Sequence, residues 1–135
     1  MVKKLCLFTF SALFLFWIGC SRPSTLNVGV IGPMQMDEGQ LLLDSVQLAA
    51  DEINAQGGIR GRKIVLFPVD DENKTDIALR NLRQTIQNSK LNLLVGGFSS
   101  GVTLQLMELM AEHKLIWLGT GGAHPDVITD RKSVV

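Results

Sequence analysis

Cysteine is nearly absent from this 135-residue sequence: there are two, Cys6 and Cys20, and both lie in the first 20 residues. Any fold beyond Cys20 has no disulfide framework and must be held by core burial. Histidine is as scarce, with only His113 and His124, and neither sits in a recognised motif. No Walker loop occurs, and no Gly-x-Gly-x-x-Gly follows the first strand, where a dinucleotide-binding domain would need it. No catalytic residue, nucleophile elbow or cofactor is therefore expected. Asp70-Asp71-Glu72 is the densest acidic group, but it lacks the alternating spacing of a calcium loop and any histidine partner, so no metal is expected. Charge of one sign is missing too. Thirteen Lys and Arg balance thirteen Asp and Glu, and no basic run is present to draw the chain to nucleic acid or to anionic lipid.

What is present begins with an export pattern. Lys3 and Lys4 precede an apolar stretch from Leu5 to Ile18, which Gly19-Cys20 closes. A basic start, an apolar centre and a small-residue boundary make a signal segment, and a run this short does not reach the roughly 20 residues of a membrane-spanning helix. Phe16-Trp17-Ile18-Gly19-Cys20 resembles a bacterial lipoprotein box, with Trp17 where that box usually carries Leu. The resemblance implies lipidation of Cys20; ordinary cleavage or a retained signal anchor are the alternatives. Cys6, inside the apolar stretch, reads as a small hydrophobe. Residues 1–20 are thus a lipoprotein-type signal and residues 21–25 a tether.

After the tether, apolar runs and amphipathic stretches alternate. Strands are expected over Leu26 to Ile31, Lys63 to Val69, Leu91 to Val95 and Leu115 to Leu118, and helices over Gln40 to Gln56, Asp76 to Asn88 and Val102 to His113. The first helix has an apolar stripe of Leu42, Val46, Ala49, Ala50 and Ile53, the second has Leu79, Leu82, Arg83 and Ile86, and the third has Val102, Leu106, Leu109 and Met110 with Met107 alongside. Gly57 predicts a left-handed helix cap, with Ile59 folding back onto the last turn. This order is that of an α/β fold, a doubly wound parallel sheet with right-handed crossovers, in the strand order 2-1-3-4.

The segment from the first helix through Asn54-Ala55-Gln56-Gly57-Gly58-Ile59-Arg60-Gly61-Arg62-Lys63-Ile64, with Asp70-Asp71-Glu72 after the next strand, resembles the periplasmic binding proteins of the leucine/isoleucine/valine-binding family. The likeness runs from Leu26 to the glycine turn near Thr120. It implies one partial N-terminal lobe of a type I periplasmic binding protein over residues 26–135, with the second lobe absent and Asp126 to Val135 ending without a closing element. It also implies a non-enzymatic solute-binding component of an ABC-type importer. Such a component is exported to the periplasm or cell surface, anchored by lipid, and partnered by a small polar solute such as an amino acid and by an inner-membrane permease.

In a doubly wound sheet, ligands bind beyond the carboxyl ends of the strands, here the loops Gly32 to Gly39, Gly96 to Gly101 and Gly119 to Pro125. Gly96-Gly97-Phe98-Ser99-Ser100-Gly101 opens the third helix and offers free N–H groups and two hydroxyls to a carboxylate, although a serine there also serves as a plain helix cap. The family resemblance implies that Ser100 and the backbone beside it, Ser99 included, hold a ligand α-carboxylate. It further implies that Thr120, Gly121 and Ala123 form the second contact loop. Ala123 replaces a hydroxyl residue the family often uses. Glu38 stands where many relatives place an aromatic facing the ligand, and it is read either as a partner for a ligand cation or as an exposed loop carboxylate. Two other readings remain open: an envelope interaction or sensory protein with a degenerate lobe, and a small doubly wound enzyme.

Overall fold

The computed structural model describes residues 25–122, 124 and 125. Four strands form one parallel sheet: β1 (Thr25–Gly32), β2 (Lys63–Asp70), β3 (Leu93–Gly96) and β4 (Ile116–Gly119). Three helices connect them: α1 (Asp37–Ala55), α2 (Thr75–Ser89) and α3 (Ser100–Glu112). The strand order is β2-β1-β3-β4, all pairs parallel, as the alternation of elements predicts. Cys20, the tether up to Ser24, and Asp126 to Val135 lie outside the described residues, as does Ala123.

Side chains alternate across each strand and divide the sheet into two faces. Ile31, Val69 and Leu94 turn to one face and join Ala78 and Leu82 of α2 and Val102, Leu106, Leu109 and Met110 of α3 in a single buried cluster. Leu91 and Leu115, expected at strand starts, belong to the same cluster but precede β3 and β4. Val28 and Val30 turn to the other face, where Leu42 of α1 reaches the backbone of Gly32 and Gly96. The first helix is buried less deeply than its stripe predicts, with Ala50 buried and Ala49 exposed. Arg83, the charged interruption of the apolar face of α2, is exposed, while Leu82 one step away is fully buried. One residue turns a helix by about 100 degrees, which is enough to carry a side chain from core to water.

The end of α1 explains the motif Asn54 to Ile64. Gly58 N–H donates to the Ile53 carbonyl at 2.9 Å and Gly57 N–H to the Asn54 carbonyl at 3.1 Å, the paired bonds of a Schellman cap. Both glycines have positive φ, 97° and 78°. Ile59 and Arg62 then exchange both backbone hydrogen bonds around Arg60 and Gly61, whose φ values of 53° and 78° make a tight hairpin turn. Ile59 remains 45% exposed, so it folds back onto α1 only in part. Asn54 closes the motif: its side-chain amide donates to the Ile64 carbonyl at 2.9 Å and its Oδ1 accepts from Ile64 N–H at 2.7 Å, acting as a short extra strand beside β2.

Candidate functional site

The carboxyl ends of β1, β3 and β4 converge at one edge of the sheet. Gly96 follows Val95 at φ 117°, and a side chain there would run into the Ile31 carbonyl, so β3 can turn away from β1 only because this position is glycine. Trp117 supports the turn from below, its indole N–H donating to the Gly96 carbonyl at 3.0 Å. Thr120 N–H reaches the same carbonyl at 3.3 Å. Gly121 packs so closely on the backbone of Phe98 that an added methyl would sit 3.2 Å from its Cα.

The serine loop is shorter than the sequence suggests, because α3 starts at Ser100 rather than Val102. Ser99 is the N-cap residue, with φ −91° and ψ 122°, yet its hydroxyl makes no capping bond. Capping is therefore not what Ser99 is used for. Its carbonyl accepts both the N–H and the hydroxyl of Thr103 at 2.9 Å, and this is the first helical hydrogen bond. The N–H groups of Ser100, Gly101 and Val102 precede that bond and form the open N-terminus of α3. Ser100 Oγ accepts from His124 N–H at 3.3 Å, which joins this helix start to the loop after β4.

Four of the expected site residues, Ser99, Ser100, Thr120 and Gly121, are thus gathered on two touching loops, with Ala123 outside the described residues. Glu38 is not in a loop. Met36 caps α1, so Asp37 and Glu38 stand in its first turn, where carboxylates complement the helix dipole. No hydrogen bond or ion pair ties Glu38 to the serines. Phe98, 47% exposed beside Gly121, is a further candidate for the site; its signal in the sequence is a large apolar side chain in a loop otherwise made of glycine and serine.

Against the expectation of no nucleophile elbow, Gly97-Phe98-Ser99-Ser100-Gly101 does spell Gly-x-Ser-x-Gly between a strand and a helix. The backbone at Ser99 is ordinary extended chain rather than a strained elbow.

The acidic group after β2 is a brace. Asp70 Oδ1 accepts from Met34 N–H and from Glu72 N–H, both at 3.0 Å, and its Oδ2 from the Gln35 amide at 3.3 Å, so it pins the β1–α1 loop to the exit of β2. Asp71 is 1% exposed and accepts from Asn73 N–H at 2.8 Å. Burial pushes its carboxyl above the ordinary carboxylate value, the Asn73 bond opposes this, and the charge of Asp70 adds to the rise. Among the described residues no cluster of three His, Cys, Asp or Glu side chains is placed to hold a metal, and no helix is long and apolar enough to cross a membrane. A shallow concavity of about 500 Å³ lies elsewhere, on the outer side of α2 along Asp76, Leu79 and Arg83. A single helix surface supplies all its walls, so it cannot enclose a solute.

Residues 25–133 match the family model for periplasmic binding proteins. The chain belongs to that family. It is 29% identical over 107 residues to the Leu/Ile/Val-binding protein BraC3 of Rhizobium johnstonii, covering 76% of this chain and 28% of the relative. It is 33% identical over 105 residues to an amino acid binding protein of Pseudomonas aeruginosa, covering 74% and 28%. An ABC transporter substrate-binding protein of Desulfitobacterium hafniense, solved in complex with Leu, superposes with a TM-score of 0.70 at 26% identity over 78% of this chain and 31% of that one. The branched-chain amino acid substrate-binding protein LivJ of Streptococcus pneumoniae, solved with isoleucine, shares the fold with a TM-score of 0.74 at 23% identity over 82% and 32%. Periplasmic binding proteins of the leucine/isoleucine/valine type are thus the relatives in sequence and in fold, and the α/β sheet is of type I. The chain spans less than a third of the length of these relatives.

Proposed function

We propose that this periplasmic binding protein chain supplies one wall of a site for a small polar carboxylate, with an amino acid as the solute, as part of an extracytoplasmic binding component serving an ABC permease. The observation that carries the reading is the unused hydroxyl of Ser99 beside the open N-terminus of α3. Three N–H groups there, with Ser100 and the Thr120–Gly121 loop adjoining, offer donors to an anion from two neighbouring strand ends. Phe98 adds an apolar surface next to them. Binding rather than turnover is the activity proposed, in keeping with the family of binding proteins to which the chain belongs. Cys20 is proposed to carry the lipid that holds the exported chain at a membrane.

The test is a nuclear magnetic resonance titration of the chain with a panel of amino acids and their amides. Amide shifts should be confined to Gly96–Gly101 and Thr120–Gly122, and amides lacking the carboxylate should produce none. Ser100→Ala should weaken binding by about 1.5–3 kcal/mol, the range for a hydrogen bond to a charged group. A ligand whose affinity is indifferent both to Ser100→Ala and to a bulky residue at Gly121 would place the site elsewhere.

A further inference from the structure

Five of the eight lysines and arginines among the described residues stand at the amino edge of the sheet, opposite the proposed solute site. Because every strand is parallel, each segment that leads into a strand reaches that same edge. Arg60, Arg62 and Lys63 come from the α1–β2 turn, Lys90 from the α2–β3 turn and Lys114 from the α3–β4 turn. The register sets Lys63 level with Thr25 and Leu93 level with Ile116, so the turns lie side by side. The other cations, Lys74, Arg80 and Arg83, belong to α2 and its N-cap. The acids are distributed the opposite way. Asp37, Glu38, Asp70, Asp71, Glu72 and Asp76 cluster at the carboxyl edge, whereas at the amino edge Glu112 ends α3 and Asp51 and Glu52 lie one turn back on α1.

We infer that this basic edge is a docking surface for anionic lipid headgroups. Arg60, Lys63, Lys90 and Lys114 are exposed, and Arg62 is half-buried because its guanidinium also donates to the Thr25 carbonyl at 2.7 and 3.2 Å. Three of the cations occupy left-handed backbone, Arg60 at φ 53°, Lys90 at φ 47° and Lys114 at φ 53°. That region favours glycine and asparagine, so turn geometry does not select these side chains. Complementarity to a helix C-terminus would account for Lys90 and Lys114, but Arg60 and Lys63 lie beyond a completed Schellman cap and owe it nothing. The path of the chain fits the same surface. β1 starts at this edge at Thr25, five residues after Cys20, a reach of about 17 Å at full extension. On the proposed function above, a lipid on Cys20 brings this edge towards the bilayer it enters. The sequence reading saw no basic run and expected no attraction to anionic lipid; the cations come together only when three separate turns share one edge.

The full chain, reconstituted in vesicles of phosphatidylcholine with or without phosphatidylglycerol, tests this by amine labelling read by mass spectrometry. Lys63, Lys90 and Lys114 should label about fivefold more slowly with phosphatidylglycerol present, in keeping with the attraction of one cation for an anionic surface. Lys74 should be unaffected. The protection should vanish in about 1 M salt, where the screening length is about 3 Å. The triple substitution Arg60→Asn, Lys90→Asn and Lys114→Asn suits left-handed backbone, so it should keep the melting temperature and abolish protection of Lys63. Equal labelling of Lys63 in both vesicles overturns the proposal. So does protection that extends to Lys74 or persists in high salt, or protection of Lys63 by added single-stranded RNA in place of phosphatidylglycerol.

Discussion

Two adjacent glycines end α1, and they are glycine for different reasons. An added Cβ at Gly57 would meet nothing within 4 Å, so only its φ of 97° forbids a side chain; at Gly58 the same atom would lie 2.2 Å from the Arg62 carbonyl oxygen. Gly57→Ala should therefore cost about 1–2 kcal/mol, the penalty for left-handed backbone. Gly58→Ala should cost at least twice that, because the hairpin must open to admit the methyl. Thermal melts of the two variants separate the effects, and equal losses would mean that the hairpin yields freely. Asp71 gives a pH signature of unusual sign. Its carboxyl is raised in the folded state, chiefly by burial, so the folded chain binds the proton more tightly than the unfolded chain. Its contribution to stability is complete below the unfolded carboxylate value and is lost as pH rises through the folded one. Asp71→Asn keeps an acceptor for Asn73 N–H and removes the titration. Its melting temperature should gain on that of the native chain as pH rises from about 3 to 7, and a difference independent of pH would count against a raised carboxyl. The glycine pair is legible in the sequence because positive φ has few other tenants. The burial of Asp71 is not, since nothing in Asp70-Asp71-Glu72 says which carboxylate turns inward.

The sequence predicts the elements in kind and order, but it sets the helix starts too late and the starts of β3 and β4 one or two residues too early. The apolar stripe marks where a helix touches the sheet, but α1 begins at Asp37 and α3 at Ser100, before the stripe does, because the first turn of each overhangs the sheet edge and buries little. That overhang moved Glu38 and Ser100 from loops into helices and so altered the site. Asn54 was noticed only as part of a motif, although it does the joining. Its two hydrogen bonds to Ile64 tie the end of α1 to the start of β2. Asn54→Ala should lose both and leave a part-buried N–H and carbonyl without partners, a cost of about 2–3 kcal/mol. Asn54→Asp keeps the acceptor and should recover part of it. Denaturant unfolding of the pair checks this, and if both substitutions cost the same, the Ile64 N–H bond contributes nothing.

Across the whole molecule, the two sheet faces are unequally covered. α2 and α3 seal one, while on the other α1 lies over β1 and β2, leaving Ile116 and Leu118 of β4 62% and 53% exposed. These two share the face of Val28 and Val30 through the registers Val28–Leu93–Ile116 and Val30–Val95–Leu118. Their apolar character is legible in the sequence, but their exposure is not, because coverage depends on which helix crosses where. Export belongs to this scale as well. Metabolic labelling with a fatty acid should mark the chain, and Cys20→Ala should abolish the mark; equal label in both, or none, removes the lipid anchor. The place of β1 has a further consequence, in time rather than in space. It is the first strand to be made and the central strand of the finished sheet, yet its two partners come late: Thr25 pairs with Lys63 and Val28 with Leu93, 38 and 65 residues downstream. Pairings so distant in sequence form slowly. A chain that emerges amino end first thus holds its central strand without a partner until Lys63 to Asp70 have followed, and its second edge without one until Leu93 to Gly96 have.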